Sequence, residues 1–77
     1  MRLINCGPNK TELVFESPDK SVFFSYETPV AVRVGPTYYR TEEKFSMTTT
    51  KHINSWLDGT YATFMPQDFI EKFVSSV

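Results

Sequence analysis

One cysteine, one histidine and three glycines stand among 77 residues, and each scarcity removes a class of chemistry. A single cysteine, Cys6, excludes an internal disulfide and a cysteine-based zinc cage, which argues for a reducing compartment. A single histidine, His52, excludes a two-histidine metal site. No glycine-rich loop accompanies a lysine, so a phosphate-cradling P-loop is excluded too. Charge of one sign is equally short. Eight Lys and Arg oppose nine Asp and Glu, a formal net charge of −1, which is neither the basic footprint of a nucleic-acid binder nor the dense acidity of a DNA mimic. No apolar run approaches the roughly 18 residues of a membrane span. The opening MRLINCGPNK has no apolar stretch or small-residue cleavage site of a signal peptide. A soluble, cytoplasmic protein without a cofactor is the expectation.

What is plentiful is aromatic. Seven Phe, four Tyr and one Trp make 16% of the chain. A chain of this length buries only about 60% of its unfolded surface. Each ring can cover roughly 150–250 Å², so aromatics take the place of the disulfides or metal that small folds use. A single domain over residues 1–77 is expected.

Turn signals recur at Cys6-Gly7-Pro8-Asn9, Ser17-Pro18-Asp19-Lys20, Glu27-Thr28-Pro29 and Gly35-Pro36-Thr37. Between them lie segments rich in β-branched and aromatic residues: Arg2 to Asn5, Thr11 to Glu16, Val22 to Tyr26, Val30 to Val34 and Tyr38 to Met47. The pattern predicts an antiparallel meander with a hairpin between the second and third segments. Alternation in the fifth places Tyr39, Thr41, Glu43, Phe45 and Met47 on a buried face, with Glu43 anomalous there. Tyr38, Arg40, Glu42, Lys44 and Ser46 fall on a wet face. After Met47 the spacing becomes helical. Thr48, Thr49 or Thr50 caps a helix over Thr49–Leu57, which ends at Asp58-Gly59 and buries Ile53, Trp56 and Leu57. Tyr61 to Phe64 reads either as a connector or as an edge strand. A terminal helix over Pro66–Ser75 carries Phe69, Ile70, Phe73, Val74 and Val77 on one face, with Gln67 and Asp68 in its first turn. The fold class is α+β, an antiparallel sheet of four to five strands with two C-terminal helices.

The strand-to-helix junction gathers the usable side chains. Lys51, the threonine hydroxyls and the N–H groups of a helix start could hold an anion, although a helix cap with a solvated lysine accounts for the same residues. His52 could act catalytically only with Cys6 and Asp58 or Glu43, a set that nothing in the spacing brings together. At helical spacing His52 sits beside Trp56, so a flank of the core, bonded to a backbone carbonyl, is the expectation. Cys6 reads as a small turn residue. Tyr38 and Arg40 share a strand face and could stack a base or serve as a protein-contact hot spot. Glu42 and Glu43 point oppositely, which excludes a paired-carboxylate site in that strand. The candidate partner or ligand residues are Tyr38, Arg40, Thr49, Lys51 and His52; no catalytic or metal-ligating residue stands out, and the protein is not expected to be an enzyme.

The pattern S-Y-x-T-P-V-A at Ser25 to Ala31, the pair Tyr38-Tyr39 and S-x-T-T-x-K-H at Ser46 to His52 resemble a family of short bacteriophage proteins of unknown function. The resemblance covers Ser25 to about Leu57. It implies a small accessory product in the cytoplasm of an infected bacterium, one that binds and blocks a host protein such as a defence component, in the manner of an anti-CRISPR. The competing expectation is a nucleotide-sequestering or nucleic-acid-binding module using Tyr38, Arg40, Lys51 and His52. A homodimer is expected as well, since a sheet this short with two helices leaves strand-edge or aromatic surface uncovered.

Overall fold

The computed structural model describes residues 2–15 and 19–75. Its elements run β1 (Arg2–Gly7), β2 (Lys10–Val14), β3 (Lys20–Ser25), β4 (Thr28–Val34), β5 (Thr37–Thr41), α1 (Met47–Leu57), β6 (Thr63–Met65) and α2 (Gln67–Ser75). The strands form one six-stranded sheet in sequence order. β1 to β5 is an antiparallel meander. α1 then carries the chain back so that β6 joins β5 in parallel, Tyr39 beside Thr63 and Thr41 beside Met65. The class is therefore α+β, and the segment that reads either as connector or as edge supplies the sixth strand.

The predicted hairpin is present, with Thr11 opposite Phe24 and Val14 opposite Ser21. Its Ser17-Pro18 turn lies outside the described residues, as does Val77. Turns fall where left-handed backbone is accepted: Asn9 at φ 60°, Tyr26 at φ 59° and Gly35 at φ 59°. Pro29 lies inside β4 rather than in the turn before it. It sits at a bulge, where Phe23 pairs with Ala31 but Phe24 with Pro29, and a bulge tolerates a residue without an N–H.

Adjacent strand residues point to opposite faces, and here both faces are covered. On one side Phe23, Val30 and Ala31 meet Ile53 and Leu57 of α1, with Ala62, Tyr38 and Trp56 packed around them. On the other, Val22 and Val32 meet Ile70 of α2, flanked by Tyr39, Phe69 and Phe73. The aromatics do the work their number implies. Trp56 stacks on Phe23 at 5.1 Å and takes Tyr38 edge-on at 5.6 Å. Tyr39, Phe69 and Phe73 make a second chain of ring contacts at 5.2 and 5.3 Å.

Two expectations about the fifth strand are corrected. It ends at Thr41, not Met47, because Thr41 turns its hydroxyl back to accept from the N–H of Glu43 at 3.1 Å and closes a local turn. Of the face assigned to water, Glu42, Lys44 and Ser46 are exposed, but Tyr38 and Arg40 are half-buried, since β5 lies between β4 and β6 with a helix over each face.

Candidate functional site

Everything distinctive converges on the β5–α1 connection, Glu42 to Ser46, and the helix start behind it. Ser46 is extended, at φ −163° and ψ 166°, and its Oγ accepts from the N–H of Thr49. The cap is thus Ser46, in place of the three threonines, because only it combines extended backbone with a hydroxyl three residues before a helical N–H. Its carbonyl accepts from the Thr50 N–H at 3.1 Å. At the other end Asp58 takes the left-handed conformation at φ 49° and bonds back to Asn54, with Gly59 following at φ 84°.

A chain of polar side chains runs inward from the cap. Ser46 Oγ lies 3.2 Å from Thr49 Oγ1, which lies 3.2 Å from Ser25 Oγ, which lies 2.8 Å from His52 Nδ1. Ser25 and Thr49 are only 2% and 6% exposed. A serine and an imidazole in contact suggest a nucleophile and its base, but a hydroxyl shut away from solvent cannot reach a substrate. The chain fastens α1 to β3. The expected backbone partner of His52 is therefore replaced by the Ser25 side chain, and the Tyr26 ring lies against the imidazole at 5.7 Å.

Outside this seam the surface combines apolar side chains with charges of both signs, Arg40 and Lys44 beside Glu42 and Glu43. A groove of about 220 Å³ opens between the connection and β6, with Arg40, Phe45, Thr50 and Phe64 in its wall. A second depression, shared through Lys44, Phe45 and Thr50, extends to Met47 and Lys51. Phe45, Met47 and Phe64 are 46%, 79% and 58% exposed. Arg40 braces the wall: its guanidinium lies 4.8 Å from the centre of the Phe64 ring, Nη1 donates to Asn54 Oδ1 at 3.1 Å, and its Nε is buried without a partner.

Of the five residues singled out from sequence, Arg40 and Lys51 open on these two adjoining depressions. Thr49 also borders the groove, though buried. Tyr38 is taken up against Trp56, and His52 by Ser25 and Tyr26. Phe45, Met47 and Phe64 were not legible as surface. Strand alternation run past Thr41 sends Phe45 and Met47 inward, and the signal against it was Glu43, a carboxylate on a supposedly buried face. Cys6 lies far along the sheet from the groove, on β1. Burial raises its thiol pKa, the Glu12 carboxylate raises it further, and Lys10 partly opposes them, so it lacks the low pKa of a reactive thiol.

Among the described residues no group of His, Cys, Asp and Glu could hold a metal ion, and no helix is long and apolar enough to cross a membrane. No curated protein and no solved structure matches the chain. A family model of unknown function, DUF8033, matches residues 1–72. That match takes in the whole sheet, α1 and the groove, and the chain belongs to this family.

Proposed function

We propose that the protein works by binding a partner protein through the surface of Phe45, Met47 and Phe64 at the β5–α1 connection and β6. The observation that carries this reading is the exposure of a Met and two Phe side chains around an Arg already held over one of the rings. Aromatic, Met and Arg side chains are the types enriched in protein interfaces, and a braced guanidinium loses little freedom on binding. The resemblance to short phage proteins makes a host protein, in particular a defence component, the proposed partner, inhibited or modulated by occupation.

A second reading, an anion such as a nucleotide phosphate at the α1 start, draws on Arg40 and Lys51. Glu42 and Glu43 stand in the same groove wall as Arg40 and oppose an anion there. A protein with both apolar and charged contacts fits better.

The test is capture of partners from bacterial cells by the parent chain and by a Met47→Asp/Phe64→Asp variant, followed by mass spectrometry and a purified-component binding assay. The expected result is a stoichiometric protein retained by the parent and lost with the variant, while Lys51→Ala keeps most of the binding. Retention by the folded variant sinks this surface as the binding site. A co-purifying nucleotide lost with Lys51→Ala sinks the protein-partner reading in favour of the anion.

A further inference from the structure

The sheet has two edges, and they are unequal. β6 is three residues long and parallel to its neighbour, whereas β1 is six residues long, pairs on one side only, and carries two exposed aliphatic side chains, Leu3 at 68% and Ile4 at 36%. A long edge usually bears a proline, an inward charge or a covering element. β1 has none of these between Leu3 and Asn5, and its one bulge lies beyond, between Asn5 and Gly7.

The hydrogen-bonding phase of the sheet fixes what this edge offers. Phe15 N–H bonds Lys20 O, and Tyr26 N–H bonds Asn9 O. In the β2–β3 register, both contacts make the odd-numbered residues of β2 the ones bonded to β3. Glu12 and Val14 therefore turn their backbone groups to β1, where they face Ile4 and Arg2. Leu3 and Asn5 are left with N–H and C=O directed outward, away from the sheet.

Those four groups are self-complementary. A two-fold axis perpendicular to the sheet keeps each face on its own side, so only residues of like parity can stand opposite one another. Centring on Leu3 closes a single pair of bonds within the described strand. Centring on Ile4 sets Leu3 against Asn5 of the second copy and Asn5 against Leu3 of the second copy, closing two such pairs.

We propose that the protein forms a two-fold dimer by antiparallel pairing of β1 with β1 of a second copy, with Leu3 opposite Asn5 and Ile4 opposite Ile4 on the axis. The two sheets become one. The Ile4 side chains meet in the non-hydrogen-bonded position, where Cα atoms approach to about 4.5 Å. The register shift of β1 falls between Asn5 and Gly7, so the paired stretch from Leu3 to Asn5 keeps regular strand alternation. This surface is at the far end of the sheet from the groove, and the dimer does not depend on the functional reading.

Light scattering and sedimentation of the full chain over a range of concentrations test it. A species of twice 8.9 kDa is expected. Leu3→Pro removes an outward N–H without touching the β1–β2 bonds and should raise the dissociation midpoint about tenfold or more. Ile4→Cys in a Cys6→Ser background should cross-link into a disulfide dimer under mild oxidation with diamide. Leu3→Cys in the same background should not, because its counterpart is Asn5; this comparison holds even should the proline variant fail to fold. A single 8.9 kDa species up to about 100 μM overturns the proposal, as does a dimer that cross-links equally well from position 3.

Discussion

Ser25 on β3 and His52 on α1 are joined side chain to side chain, Oγ to Nδ1 at 2.8 Å, and Thr49 Oγ1 approaches the same hydroxyl at 3.2 Å. One buried serine thus serves two helical residues a turn apart, and it sets the height and rotation at which α1 sits on the sheet. Ser25→Ala leaves both without that partner inside a closed seam. The expected loss is about 1–3 kcal/mol of unfolding free energy, read by urea denaturation with tryptophan fluorescence.

The cap offers a cleaner contrast among neighbouring hydroxyls. Ser46→Ala removes the acceptor for the Thr49 N–H and should cost about 0.5–2 kcal/mol. Thr48 is exposed and bonds nothing in the cap, so Thr48→Ala should stay within about 0.5 kcal/mol of the parent. Equal losses at the two positions in thermal melts would remove Ser46 from the role.

Trp56 links three elements through Phe23, Tyr38 and the Glu12 carboxylate, to which its Nε1 donates at 3.2 Å. Trp56→Ala should cost about 3–5 kcal/mol, enough to unfold a domain of this size at ambient temperature. Trp56→Phe keeps the stack and loses the hydrogen bond to a carboxylate, for about 1.5–3 kcal/mol. Far-ultraviolet circular dichroism distinguishes them: the first variant loses its sheet signal, the second retains it.

Cys6 should behave as a sluggish thiol. Its pKa lies above the ordinary value because burial and Glu12 disfavour the thiolate, so alkylation by iodoacetamide at neutral pH should be slower than for an unstructured cysteine peptide. Glu12→Gln removes one of the two raising causes and should quicken it, provided the Trp56 hydrogen bond is kept. The folded state favours the neutral thiol. That contribution is complete below the unfolded-state thiol pKa and is lost as pH rises through the higher folded-state value, so Cys6→Ser should flatten the alkaline fall in stability.

Strand and helix assignments were legible where the pattern was local. Val22-Phe23-Phe24 and Val30-Ala31-Val32 announce strands, whereas the cover over both faces of the sheet emerges only in the packing of α1 and α2. Pro66 before Gln67 and Asp68 marks the start of α2, and Asp58-Gly59 the stop of α1. The candidate site was legible only in location. The junction around Thr49 and Lys51 stood out, but which of its side chains face solvent depends on where β5 stops. A single hydroxyl decides that: Thr41 bonds the Glu43 N–H, and the next residues leave the sheet.

By itself the sequence determined the class of this protein. Its period-two segments, its turn residues and its two amphipathic stretches are local preferences written in consecutive residues, and they require a meander followed by helices. Tertiary structure alone decided the rest. The parallel return of β6 beside β5, the union of Ser25 with His52 across 27 positions, and the emergence of Phe45, Met47 and Phe64 on one surface all depend on residues distant in the chain. No local propensity encodes such meetings, because they are fixed by how the two helices cover opposite faces of one sheet.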